Sequence, residues 1–130
     1  MIVVDASVLV DLLRGSDDRD AIEHRLLAGS ESLHAPHLVD LEILQALRRF
    51  VLFGEMSRDR AEEVLVDLYD LRLDRYPHTE LVSRIWELRD SLTAYDAAYV
   101  ALAEALDATL VTRDARLART CGHRARIELI

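Results

Sequence analysis

Ile2-Val3-Val4-Asp5-Ala6-Ser7-Val8-Leu9-Val10-Asp11-Leu12-Leu13-Arg14 is the stretch whose reading decides the fold. Three β-branched apolar residues in succession, Ile2-Val3-Val4, suit a strand covered on both faces. From Ser7 to Arg14 the period changes, with Val8, Leu9, Leu12 and Leu13 at helical spacing. The passage predicts strand, turn and helix, with an acid at the turn. Outward from it the alternation repeats. Helices are predicted over residues 20–27, 37–52, 58–69, 79–89, 94–106 and 115–119, and Pro36 suits the start of the second of these. Strands are predicted around 33–35 and over 71–74, 109–112 and 127–130. Such alternation specifies an α/β fold, a parallel sheet of about five strands flanked by helices on both faces. In that architecture the functional crevice lies outside the carboxyl ends of the strands.

The 130 residues suit one domain, and no repeat or Pro/Gly/Ser-rich linker divides them, so residues 1–130 read as a single unit. Half the chain is hydrophobic (51%) and 31% is charged, as in soluble globular proteins. The amino terminus has neither a basic region nor a long apolar run, which argues against a signal peptide or membrane span and points to the cytoplasm. A single cysteine, Cys121, forms no intrachain disulfide and has no thiolate partners for a metal; it reads as a small, partly buried residue.

The net charge of −8 argues against a surface that attracts nucleic acid everywhere, though not against a local basic strip. All sixteen basic residues are arginine, so phosphate contacts must come from permanently charged planar forks. Without lysine or a Gly-x-x-x-x-Gly loop there is no P-loop, and without Gly-x-Ser-x-Gly there is no nucleophile elbow.

Four acids need a reason. Asp5 follows the first strand and Asp114 lies just beyond the strand 109–112, so both emerge at the carboxyl edge. Asp96 sits in the first turn of an otherwise apolar helix. Glu42 lies among Leu38, Val39, Leu41, Ile43 and Leu44, and buried carboxylates are costly unless paired or metal-bound. Helix capping explains Asp5 and Asp114 equally well residue by residue, Thr93 with Asp96 matches a capping-box variant, and Glu42 has solvent as its alternative. Jointly, the four suit a hard cation such as Mg²⁺ or Mn²⁺, which takes oxygen ligands. Two such ions can clamp the attacking and leaving oxygens of a phosphodiester. Ser7 and Thr112 either orient a carboxylate or a metal-bound water, or bond only to backbone.

Ile-Val-Val-Asp5-Ala-Ser7, the helix bearing Glu42, Leu-Thr-Ala-Tyr95-Asp96-Ala-Ala-Tyr-Val-Ala-Leu-Ala-Glu104 and Leu-Val-Thr112-Arg-Asp114-Ala-Arg-Leu together resemble, in order, the motifs of the PIN-domain VapC toxins. The resemblance spans nearly the whole chain and is most specific in the last two motifs. It implies a Rossmann-like PIN fold and a cluster of Asp5, Glu42, Asp96 and Asp114 that binds Mg²⁺ or Mn²⁺. It also implies an endoribonuclease acting on single-stranded or looped RNA, inhibition by a VapB-type antitoxin, and a homodimer. By position, Asp5, Glu42 and Asp96 are expected to carry most of the metal binding, with Asp114 a second-metal or water-positioning group. Ser91 departs from the Asn that the family favours there, which bears on a polar contact rather than on the reaction.

Five arginines (113, 116, 119, 124, 126) and one acid, Asp114, lie between Arg113 and Arg126. They form either a phosphate-binding strip or a solvated tail paired with surface acids, and Arg113 and Arg116 are the better candidates because they flank the acid. Trp86 and Tyr95 are candidates for base stacking, yet Trp86 among Leu81, Ile85 and Leu88 reads as core and Tyr95 as an anchor of its helix. His34 and His37 read as turn residues without a catalytic role. Two other functions compete. An aspartyl-phosphate phosphatase or receiver domain needs a lysine, which is absent, and the phosphatases need an acid where Ser7 stands. A PIN scaffold that only binds a partner is separated from a nuclease by a metal-dependent cleavage assay.

Overall fold

Ile2, Val3 and Val4 are fully buried and form β1 (Ile2–Val4) at the centre of the sheet. The computed structural model describes all residues, Met1–Ile130. After β1 come α1 (Ala6–Arg14), α2 (Arg19–Leu27), β2 (Leu33–Pro36), α3 (Leu38–Leu52), α4 (Arg58–Asp70) and β3 (Leu73–Tyr76). A 3₁₀ turn (Thr79–Leu81), α5 (Val82–Glu87), α6 (Ala94–Leu106), β4 (Thr109–Thr112), α7 (Ala115–Arg119) and β5 (Arg126–Leu129) complete the chain. Every strand pairing is parallel and the order is β3-β2-β1-β4-β5.

The chain builds outward from β1 to β2 and β3, then returns to lay β4 against the other side of β1. Helix α1 packs with α2, α3 and α4, whereas α6 packs with α5 and lies across β1, β2 and β4. Right-handed crossovers put these two groups on opposite faces of the sheet. The reversal between β1 and β4 is a topological switch point, where open α/β sheets form their crevice. Their register, Val4 opposite Val111, brings Asp5 and Thr112 to the same edge, and the Asp5 amide donates to the Val111 carbonyl at 3.0 Å. The core spans both layers and includes Val8, Leu9, Val39, Ile43, Tyr99, Val100 and Leu110, all 1% exposed or less.

Several expectations shift. Pro36 ends β2 rather than starting a helix, and α3 begins at Leu38. Strand β3 starts at Leu73, two residues late, because Leu71 is spent as the extended C-cap of α4, its amide bonded to the Asp67 carbonyl. The helix expected over 79–89 divides into a 3₁₀ turn and the six residues of α5; Leu81, Ile85 and Leu88 still pack on the core, but Trp86, one position off that face, is 67% exposed instead of in the core. The Arg89 guanidinium lies over the Trp86 ring, 4.8 Å from its centre. Cys121, expected partly buried, is exposed. His34 lies in the strand expected around 33–35, and the turn reading holds for His37 alone. His34 is 3% exposed, with ring nitrogens bonded to Ser32 Oγ (2.7 Å) and Tyr76 Oη (2.9 Å), and burial lowers its pKa, so it stays neutral in the core.

Candidate active site

Asp5 occupies the N-cap position of α1 but makes no capping bond with its side chain. Its Oδ2 accepts two hydroxyls instead, Ser7 Oγ at 2.6 Å and Thr112 Oγ1 at 2.7 Å. Both hydroxyls also accept from backbone: Ser7 Oγ from the Arg113 amide (3.2 Å), Thr112 Oγ1 from the Asp114 amide (3.0 Å). The two readings of Ser7 and Thr112 therefore combine, since each hydroxyl orients a carboxylate and fixes the turn after β4. Asp5 itself is 9% exposed, and its Oδ1 has no side-chain partner.

Asp96 sits three residues after Thr93, the N-cap of α6, whose hydroxyl accepts from the Asp96 amide at 3.1 Å. Its carboxylate is half-buried, and its pKa is raised. Burial is the largest cause, Asp5 and Asp114 add to it, and Thr93 and Arg116 oppose it. Glu42, in the second turn of α3, behaves alike: burial raises its pKa, a hydrogen bond from Tyr99 opposes, and Asp5 and Asp96 raise it further. Burial and like charge disfavour the ionised form in both.

Asp114 differs. It caps α7, with Oδ1 accepting the amides of Arg116 (2.7 Å) and Leu117 (3.3 Å) and Oδ2 accepting from the Arg116 guanidinium (3.2 Å). Burial pushes its pKa up, but the bonds from Arg116 and Leu117 together outweigh this and leave it below the usual value. Arg116 is 91% exposed and rims a small hollow of about 190 Å³ with Ser91, Thr93, Asp96, Asp114 and Thr120. Arg113 points elsewhere, its guanidinium held by Asp11 (2.8 Å) and Asp18 (2.7 Å). Tyr95, beside Asp96, is 66% exposed.

Tyr99 escaped the sequence reading. Its ring is 1% exposed and its hydroxyl donates to Glu42 Oε2 at 2.6 Å. Burial and the neighbouring Glu42 hold the phenol far above its usual pKa, so it is a donor at any physiological pH. The available signal was its place three residues after Asp96, on the same face of the helix.

The crevice thus gathers four carboxylates that feel one another's charge. As the side chains stand, no three of them converge closely enough to share one ion. The donor set is all oxygen, which fits a hard divalent cation better than zinc.

The model of the PIN domain matches residues 2–123. The chain is 46% identical over 129 residues to "Ribonuclease VapC1" of Mycobacterium tuberculosis, covering 98% of this chain and 96% of that one. Among solved structures, PAE2754 from Pyrobaculum aerophilum superposes with a TM-score of 0.71 at 27% identity, over 97% of this chain and 81% of that one. VapBC2 from Rickettsia felis, bound to a DNA fragment from their promoter, shares the fold, with a TM-score of 0.71 at 19% identity over 99% of this chain and 98% of the other. By family model, by identity along nearly its whole length and by fold, the chain belongs to the PIN-domain family, in its VapC branch.

Proposed function

We propose that this protein is a Mg²⁺- or Mn²⁺-dependent endoribonuclease toxin of the cytoplasm, restrained by a VapB-type antitoxin and acting as a homodimer. The observation that carries the reading is that Glu42 and Asp96, half-buried beside Asp5, are pushed toward protonation and neither forms an ion pair. A cation offsets that cost, whereas an unpaired acid cluster without a ligand only destabilises. A bound ion supplies Lewis acidity and positive charge to a phosphodiester.

The residues divide the work. Asp5 presents Oδ1, because Ser7 and Thr112 hold its other oxygen. Glu42 presents Oε1, and Asp96 forms no ion pair, its one side-chain donor being the Thr93 hydroxyl. Asp114 contributes once Arg116 turns away, and Arg116 then has the RNA phosphates within its reach. Arg113, already paired twice, serves the site by bracing the turn after β4 rather than by touching RNA. The net negative crevice suits a partner that inserts a cationic side chain, which supports an antitoxin acting at this edge. The ribonuclease name of a relative 46% identical over 129 residues supports the activity. No helix is long and apolar enough to cross a membrane.

A panel of structured RNAs incubated with purified protein tests the proposal. Cleavage is expected only with Mg²⁺ or Mn²⁺, and Asp96→Asn or Asp5→Asn abolishes it while the protein stays folded. Near-normal cleavage by Asp96→Asn sinks the site assignment. Failure of the wild-type protein to cleave any RNA with either ion favours the partner-binding scaffold.

A further inference from the structure

We infer that Tyr99 is a positioning residue that aims the Glu42 carboxylate into the crevice by fixing its Oε2 with a 2.6 Å hydrogen bond, leaving Oε1 to a divalent cation. The inference rests on the metal-dependent nuclease reading and deepens it. Glu42 arrives from α3, whereas Asp5, Asp96 and Asp114 come from the ends of β1 and β4 and the start of α6. No other side chain or backbone amide hydrogen-bonds its carboxylate. A glutamate has three side-chain torsions, and one left unheld at the rim of a crevice samples many directions. Tyr99 has no such freedom, because its ring is 1% exposed in the core and α6 lies across the central strands. Its hydroxyl is a fixed point, and a charge-assisted bond of this length holds the carboxylate to it.

The arrangement has a counterpart in the same crevice. Asp5 Oδ2 takes the Ser7 and Thr112 hydroxyls, so Asp5, too, offers one oxygen outward while hydroxyls occupy the other. Two carboxylates from different elements are thus held by the same device, with neutral donors that orient them without cancelling their charge. Such outer partners commonly set metal affinity by tenfold to a hundredfold.

A burial requirement alone also gives the Tyr99 hydroxyl a partner, so the test must separate orientation from packing. Tyr99→Phe keeps the ring and removes only the bond. With Mn²⁺ affinity measured by electron paramagnetic resonance on RNA-free protein, Tyr99→Phe is expected to bind roughly tenfold more weakly. KM for RNA stays unchanged, and excess Mn²⁺ restores kcat toward wild type. In a Glu42→Gln background the same substitution is expected to have no further effect on Mn²⁺ affinity, because the interaction it removes acts through that carboxylate. A purely structural role instead weakens both backgrounds equally, which overturns the inference. Equal Mn²⁺ affinity of wild type and Tyr99→Phe overturns it as well, leaving the nuclease reading intact. Wild-type protein that binds no Mn²⁺ overturns both. Should Tyr99→Phe not fold, the wild type still decides: Mg²⁺ must shift the ¹³Cζ resonance of Tyr99, and a resonance unmoved at saturating Mg²⁺ refutes the role.

Discussion

Asp96 and Asp114 face the same crevice with opposite electrostatic histories, because at Asp96 burial and the neighbouring acids outweigh the Thr93 bond, whereas at Asp114 the bonds from Arg116 and Leu117 outweigh burial. A carboxyl group whose folded pKa is raised binds its proton more tightly when folded. Its penalty is therefore absent below the unfolded value, 3.8 for an aspartate, and grows as pH rises through the folded value. Asp96→Asn deletes that charge and keeps the first-turn shape. Without metal the variant should melt above wild type near neutral pH, by a margin worth about 1 kcal/mol that shrinks as the pH is lowered toward 4. It should also gain less from Mg²⁺, which stabilises only a folded state that binds it. Thermal melts in chelator and in Mg²⁺ at a series of pH values read both effects. A variant less stable than wild type, with an undiminished Mg²⁺ shift, is what a merely helix-capping aspartate gives, and it counts against the clustered site.

At the scale of elements, α7 is the weakest link that the crevice depends on. Its five residues are too few to be stable alone, and Asp114 satisfies two of its free amides. Asp114→Ala should cost about 1 kcal/mol in metal-free protein, and Asp114→Asn only a few tenths, since the amide oxygen still caps. The order is the reverse of that at Asp96, and equal melting of Asp114→Ala and wild type refutes the capping contribution. The same elements set what was legible in the sequence. Ile2–Val4 and Thr109–Thr112 read as buried strands because parallel strands covered on both faces are continuous apolar runs, and an acid just past such a run belongs to the carboxyl edge. Trp86 was misread because it adjoins core residues without sharing their face: Leu81, Ile85 and Leu88 pack on the core at helical spacing, and Trp86, one residue past Ile85, turns about 100° away from them. The start of β3 was misread because Leu71 is apolar for a helix end rather than for a strand. Tyr99 was passed over because an aromatic in an apolar helix looks like core; it is core, and only the tertiary position of Glu42 gives its hydroxyl a task.

The whole molecule carries a net charge of −8, so the RNA binding proposed for it depends on which arginines are free. The five between Arg113 and Arg126 suggest a strip, but most are spoken for. Arg113 pairs with Asp11 and Asp18, Arg116 with Asp114, Arg124 lies 3.9 Å from Glu104, and Arg126 pairs with Asp107; Arg119 alone has no ion pair. Surface pairs such as those of Arg116 and Arg124 are weak and exchange readily for a phosphate, whereas Arg113, held by two acids, has more to lose. Each phosphate neutralised on a single strand contributes a slope of about −0.7 to log K against log salt. With Arg119 and one of its neighbours engaged, the slope should lie near −1.4; with all five engaged it should approach about −3.5. Binding of a short single-stranded RNA to Asp96→Asn protein in chelator, followed across a KCl series, measures it. Arg119→Ala should flatten the slope by about 0.7, whereas Arg113→Ala should leave the slope alone and lower the melting temperature, because it leaves Asp18 unpaired and Asp11 with Arg14 alone. A steep slope that Arg113→Ala flattens would show that RNA pulls Arg113 out of its acid pair, and that the basic strip acts as one surface despite the overall negative charge.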